Sequence, residues 1–368
     1  VSFRNFLGNT ATTHQLRESI AAGRLPQAII LSGARGAGKY TLALMLAKAI
    51  NCKVQPLTDG LPDFCGECTN CGRIATAEAL EERVAEAIAA REELRETDKK
   101  ETRILVQPHP DLLIIPPDPP QLLIKLGQVR SVIRGMYRVP SDARRAIYIF
   151  TSAAFMKEAA NSLLKVLEEP PEYATIFLLA ENISELLPTI RSRSAVFRLG
   201  GLPPEQIEAL VAEKRTDLKP QQRALVARLA EGTVGRALAL DLAGYLAHRQ
   251  DALILLRHAT NEADHSTLFR MTETYRAGAE GAEKTTALLR AFSSLLEDML
   301  LIQAGVPKLV RNIDIQAELE RMAGTVSQGW IESASRGLDQ AESGMRRNLL
   351  RSLALDNFAA GLDRAQAS

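Results

Sequence analysis

The sequence predicts an α/β fold built on a phosphate-binding loop. A parallel five-stranded sheet covered by helices carries an inserted metal module, and a small helical domain and an all-α domain follow. Three observations predict this. The apolar run Ala28-Ile29-Ile30-Leu31 leads into Gly33-Ala34-Arg35-Gly36-Ala37-Gly38-Lys39 and then into a helical pattern from Leu42. Strand-like runs alternate with helical stretches as far as Phe197, as in a sheet with helices on both faces. After Leu202-Pro203-Pro204 the strand signal stops, and only helical periodicity remains.

Composition bounds the function. A chain of 368 residues has room for two or three domains. At 46% hydrophobic and 24% charged it is an ordinary globular chain with sizeable cores. Its net charge of +1 supplies no global basic field for nucleic acid. No apolar run has the length of a membrane span, and Val1-Ser2-Phe3-Arg4 lacks the apolar segment of a secretory signal. The expected location is cytoplasmic, with no membrane partner.

Taken in order, Phe3 to Leu25 reads as a loop and an amphipathic helix. The glycine loop follows. Its backbone N–H groups can curl around an anion, and Lys39 would reach the outer phosphates. Gly33, Gly36, Gly38, Lys39 and Thr41 are therefore the candidate nucleotide-binding residues. The motif should continue with Ser or Thr as a Mg²⁺ ligand, but Tyr40 stands there. Thr41 is a poor replacement, because one step along a helix turns a side chain by about 100°. The cradle is kept and the metal site is damaged.

All four cysteines fall between Cys52 and Cys71. Cys65, Cys68 and Cys71 form a C-x₂-C-x₂-C run, and Cys52, at the end of the preceding helix, supplies a fourth corner. Four thiolates with no open position describe a structural Zn²⁺ site, with an iron–sulfur cluster as the rival. Residues 73–102 contain neither Gly nor Pro and carry an apolar stripe of Ala77, Leu80, Val84 and Ile88. They read as one long inserted helix that projects from the core. His109, in His109-Pro110-Asp111 ahead of the strand Leu112–Ile115, reads as structural.

Ala146-Ile147-Tyr148-Ile149-Phe150 is a core strand. Its end carries Thr151-Ser152 where a nucleotide hydrolase needs a carboxylate for Mg²⁺. The second half of the metal site is therefore missing too. A helix over Ala159–Glu169 stops at Pro170-Pro171. The strand Ile176–Leu179, the basic turn Arg191-Ser192-Arg193-Ser194 and the strand Ala195–Phe197 complete the sheet. The expected domains are residues 1–201, with the metal module at 52–71 and the insertion at 73–102, then residues 202–242 and 243–368.

Together these pieces resemble the clamp-loader branch of the AAA+ family, and within it the delta-prime group of bacterial DNA polymerase III. The matching stretches are Gly23-Arg24-Leu25-Pro26-Gln27-Ala28, the four-cysteine module, His109-Pro110-Asp111, Asn161 through Pro171, and Ile190 through Ser194. The resemblance implies an AAA+ core, a lid and a collar, in a five-subunit ring that loads the sliding clamp onto primed DNA during replication. It implies gamma/tau motor subunits and the delta subunit as partners. It makes Arg193 an arginine finger acting in trans on a neighbour's ATP, and it places Arg236 as a sensor of the chain's own nucleotide. Ser194 replaces the family's cysteine, the first two cysteines stand further apart than usual, and 73–102 looks inserted.

The reading is a non-hydrolysing component of the polymerase III holoenzyme, a nucleotidyltransferase, with structural Zn²⁺ and weak or vestigial ATP/ADP binding. One alternative is an ATP-hydrolysing gamma/tau-type subunit. The other is a zinc-containing nucleic-acid-binding module on an AAA+ scaffold.

Overall fold

The computed structural model describes residues 2–260, 275, 278–346 and 351–366. The chain separates into two compact units, Val1–Leu202 with Thr233–Gly235, and Pro203–Gly232 with Arg236–Ser368.

The first unit begins with α1 (Thr10–Ala21), β1 (Ala28–Ser32) and α2 (Lys39–Asn51). A small hairpin, β2 (Leu57–Thr58) with β3 (Leu61–Pro62), precedes α3 (Thr69–Ala75), α4 (Leu80–Glu92) and α5 (Glu96–Glu101). Then come β4 (Val106–His109), β5 (Leu112–Ile115), α6 (Leu126–Met136) and β6 (Ala146–Phe150). The unit continues through α7 (Lys157–Glu168), β7 (Ala174–Ala180), α8 (Pro188–Arg191) and β8 (Ala195–Arg198). The main sheet runs β4-β5-β6-β7-β1-β8.

All five expected strands are present and mutually parallel. The expectation of five strands is corrected to six: β4 pairs antiparallel with β5 at the edge. Its sequence, Val-Gln-Pro-His, hides it, because proline tolerates only an edge or a strand end and breaks the apolar alternation. His109 accordingly ends β4 as well as lying ahead of β5, as expected. In the middle of the sheet every residue of β1, β6 and β7 is buried, as both-face coverage requires. One core includes Leu42, Leu46, Phe64 and Phe177. The other includes Val132, Phe150, Leu163 and Val166.

The single long helix expected over 73–102 is also corrected. The segment is divided among the end of α3, then α4 and α5, with turns at 76–79 and 93–95. No Gly or Pro marks the breaks. Tertiary contacts make them: Ala77 is fully buried, and Leu80 and Val84 pack on the core. Arg91 Nη1 reaches the buried Asp118 carboxylate at 2.7 Å, where Lys125 Nζ also binds at 3.0 Å. The insertion is fastened down by a desolvated ion pair, whose disruption costs about 3–5 kcal/mol.

The second unit is helical. It includes Pro204–Lys214, Pro220–Leu229, Leu242–Thr260, Gly278–Gln303, Gln316–Ala323, Gln328–Arg346 and Arg351–Gln366. The breaks expected near Gly278 and Gly305 coincide with the ends of the helix Gly278–Gln303, while residues 261–274 of the expected C-terminal domain lie outside those described. Phe292 and Phe358 meet edge to face at 5.2 Å, and Trp330 Nε1 donates to the Leu362 carbonyl at 3.1 Å. Among the described residues no helix is long and apolar enough to cross a membrane.

Candidate functional site

Two of the candidate centres lie at opposite ends of α2. At the N-terminal end, Gly38 begins the helix with φ +84°, and a Cβ there would stand 3.0 Å from the Phe6 ring. Only glycine meets both the left-handed backbone and the ring. The Lys39 ammonium donates to the Gly33 carbonyl at 2.5 Å and to the Ala34 carbonyl at 2.9 Å. Burial lowers its pKa, partly offset by Glu181 and Glu185. Gly36, on the same loop, accepts from the Gly235 amide at 2.9 Å. A Cβ on Gly235 would press within 3.0 Å of Gly36 Cα. The loop's lysine and one of its carbonyls are therefore engaged by the chain itself.

Tyr40 turns away from the phosphate loop. Its hydroxyl donates to the Ala77 carbonyl at 2.7 Å, and burial, with Glu78 nearby, raises its pKa. Farther along α2, the buried Lys48 ammonium pairs with Glu78 and lies over the Phe64 ring. The residue in the usual Mg²⁺-ligand place thus docks α2 onto the turn after α3. Thr41 is exposed and makes no side-chain hydrogen bond among the described residues. At the end of β6 the Ser152 hydroxyl accepts from the Ala154 amide at 3.1 Å. No carboxylate is contributed at Tyr40, Thr41, Thr151 or Ser152.

At the C-terminal end of α2 the four thiol sulfurs of Cys52, Cys65, Cys68 and Cys71 all lie within 4.8 Å of one another. Cys52 and Cys65 Sγ are 3.5 Å apart. A tetrahedral Zn²⁺ with sulfur at about 2.3 Å requires sulfur pairs about 3.8 Å apart, so the donor set fits the ion. Backbone amides support the thiolate forms. Gln55 and Cys65 N–H donate to Cys52 Sγ at 3.2 and 3.3 Å, and Cys68 N–H donates to Cys65 Sγ at 3.3 Å. Burial opposes ionisation at Cys68, but the Cys71 and Lys53 amides and the neighbouring thiols bring its pKa down to about 6. Burial pushes the Cys71 thiol up. Ionising all four would crowd negative charge into one small volume, which a dication relieves.

The residues between Cys52 and Cys65 include the β2–β3 hairpin, and the buried Arg17 of α1 holds it. Its guanidinium donates to the carbonyls of Pro62 at 3.0 Å and Leu61 at 2.9 Å, and to that of Thr58. Nothing in an amphipathic helix pattern singles out Arg17 for this. On the other side, Asp142 accepts from Arg73 at 3.2 Å and pairs with Lys53 at 3.2 Å. It faces His109 Nε2 at 3.7 Å. His109 Nδ1 accepts from the Asp111 amide at 3.0 Å, and burial lowers the imidazole pKa. His109 braces this corner structurally and does not join the cysteines.

The third candidate lies after α8. Arg193 is about a third exposed, at 35%. Its Nη1 donates to the Thr189 carbonyl at 3.1 Å, and its Nη2 donates to Glu168 Oε1 at 2.8 Å. Sequence reasoning chose Arg193 but missed Glu168, the last residue of α7. Arg236 begins the second unit's share of the helix Val234–Ala239 and pairs with Glu231 at 2.6 Å.

The family model described as "DNA polymerase III, delta subunit" matches residues 8–203. The DNA polymerase III subunit delta' of Bacillus subtilis (strain 168) is 27% identical over 291 residues, covering 79% of this chain and 76% of that protein. The DNA polymerase III subunit tau of Escherichia coli (strain K12) is 29% identical over 245 residues, or 65% of this chain. The chain spans only 32% of the length of that tau subunit. Among solved structures, a DNA polymerase III gamma subunit-related protein of Thermotoga maritima aligns over 96% of this chain and 99% of its own, at 18% identity and a TM-score of 0.45.

Proposed function

Because this chain belongs to the family described as DNA polymerase III, delta subunit, we propose that it is a delta-prime-like clamp-loader subunit. In this role it leaves ATP hydrolysis to a neighbour and supplies Arg193 to that neighbour's site. The observation that carries this reading is the use made of Tyr40. The side chain standing where Mg²⁺ needs a hydroxyl ligand is committed to the Ala77 carbonyl, and neither Thr151 nor Ser152 offers a carboxylate. Without that ion the charge developing on a transferred phosphoryl group lacks the divalent counterion that hydrolysis uses.

Arg193 can act where the phosphate loop cannot. Its guanidinium is partly exposed at the end of a short helix, and it bears a fixed charge with several N–H donors. Presented to a neighbour's triphosphate, it would stabilise charge on the transferred oxygens. The four-thiolate site would hold Zn²⁺ as a structural ion that fixes residues 52–71 against α2. The gamma/tau-type and delta subunits are its proposed partners, with the sliding clamp and primed DNA met through the assembled ring. Residues 202–242 and 243–368 are the proposed lid and collar, and Arg236 the proposed sensor. Any nucleotide bound at Gly36, Gly38 and Lys39 is expected to bind weakly and without Mg²⁺. Isothermal titration with no heat at millimolar ATP or ADP would remove even that role.

The test is reconstitution with the gamma/tau-type subunit, using an assembly in which only the adjoining motor copy has an intact nucleotide site. Arg193→Ala should lower turnover at that site by on the order of 10³-fold, while the subunits still co-elute. Unchanged turnover would reject the arginine's role. A second reading, an ATP-hydrolysing gamma/tau-type subunit, draws on the 29% identity to a tau subunit. It requires the isolated chain to hydrolyse ATP and Lys39→Ala to abolish that activity.

A further inference from the structure

We propose that Glu168 is the positioning residue for Arg193: its carboxylate orients the guanidinium that serves the neighbouring nucleotide site. This rests on the reading of Arg193 given above and adds a second residue to it.

The chain brings the two together by ending two helices at one corner. α7 stops at Glu168 because Pro170 and Pro171 cannot continue it. α8 opens with Pro188 and closes at Arg191, two residues before Arg193. Glu168 stands 25 positions before Arg193, and its Oε1 accepts from Nη2 at 2.8 Å. The Thr189 carbonyl accepts from Nη1 at 3.1 Å, with Ser192 Oγ at 3.4 Å as a weaker third acceptor.

These contacts leave the guanidinium held but not used up. Nη1 and Nη2 are engaged on the chain's own acceptors, whereas Nε–H and a second Nη2 hydrogen have no partner among the described residues. A guanidinium presents its N–H groups as planar forks for a phosphate's oxygens, so an arginine already held by two nitrogens still has donors to offer. A free arginine side chain carries about 2 kcal/mol of rotamer entropy. Fixing it before a phosphate arrives removes part of that cost from the transition state. A backbone carbonyl alone holds one nitrogen; the carboxylate fixes the second and hence the plane. Both side chains are partly solvated, at 35% and 54% exposure. The pair therefore contributes little to folding, and its removal should leave the fold intact.

The experiment uses the same assembly with one intact motor site and compares Glu168→Ala, Glu168→Gln, Arg193→Ala and the double variant Glu168→Ala/Arg193→Ala. Glu168→Ala should lower kcat by about 3- to 10-fold, with KM for ATP, co-elution and Tm unchanged. Glu168→Gln keeps an oxygen acceptor and should recover most of that loss. The double variant should be no slower than Arg193→Ala, since both changes act through one group. The proposal is overturned if Glu168→Ala leaves kcat unchanged while Arg193→Ala lowers it. It is equally overturned if the loss multiplies in the double variant, or if the loss falls on KM, co-elution or Tm. If Arg193→Ala itself has no effect, the arginine's role fails and the positioning role fails with it.

Discussion

The two ends of α2 carry the chain's two most recognisable motifs, and they differ in what the fold does with them. At the C-terminal end four sulfurs converge within 4.8 Å, and backbone amides point at them. At the N-terminal end Lys39 is bonded to its own loop, Gly36 accepts from Gly235, and Tyr40 is anchored on Ala77. A motif specifies which chemical groups are available; whether they are free depends on their neighbours. The cysteine end gathers a donor set that could hold a metal ion, whereas Lys39 and Tyr40 at the phosphate end are engaged by the chain itself.

The largest effect should come from attacking the converging end. The purified chain should carry one equivalent of zinc by elemental analysis, and Cys68→Ser/Cys71→Ser should lose it. Structural zinc contributes an apparent binding free energy of about 10–16 kcal/mol in small modules. Chelation should therefore unlock residues 52–71 to hydrogen exchange and lower Tm. Iron in place of zinc would redirect the assignment to a cluster. A metal-free chain with full protection over 52–71 would erase the contrast between the two ends.

The other end offers a smaller effect. Tyr40→Phe keeps the ring and leaves the Ala77 carbonyl without its donor, which should cost about 1 kcal/mol in denaturant unfolding. Tyr40→Ser should cost more, because it also removes the partly buried ring, and it should not create Mg²⁺-dependent hydrolysis, since residues 151–152 still lack a carboxylate. Turnover in Tyr40→Ser would show that one residue alone kept the loop inactive, and the self-satisfied description of this end would fail.

What could be read in advance followed local rules. Five strands, the glycine loop, the cysteine grouping and the helix stopped by Pro170-Pro171 each depend on residues close in sequence, where periodicity and turn chemistry operate. What could not be read depended on distant partners. β4 is a strand because β5 offers it an edge, despite Pro108. The 73–102 segment breaks because Ala77 and Arg91 are each captured by other parts of the fold. Arg17 and Glu168 resemble ordinary charged helix residues until the hairpin and Arg193 arrive beside them. The four cysteines are close enough in sequence to be recognised as a candidate metal site, whereas Glu168 reaches Arg193 from 25 positions away.

The smallest expected effect concerns how the cysteine end is fastened to the sheet. Asp142 joins Lys53 and Arg73 of that end to the edge strand, where it faces the buried His109. Burial lowers the His109 pKa, with Lys53 and Arg73 acting in the same direction and Asp111 and Asp142 opposing. The unfolded chain therefore takes up this proton near its ordinary value of about 6.5, before the folded chain does. The stability associated with neutral His109 is fully present above that value and declines as pH falls towards the folded pKa. The slope cannot exceed about 1.4 kcal/mol per pH unit for one group. His109→Gln offers a polar side chain without a titrating ring, so it should remove that component of the slope below about pH 6.5. The difference between wild type and variant isolates His109 from carboxylates that titrate lower. If the two unfolding curves keep the same pH dependence, or if the imidazole titrates at or above its ordinary value by NMR, this corner is more open to water than its burial implies. The cysteine end would then be held by Arg17, and by any metal at its four thiols, rather than by the sheet edge.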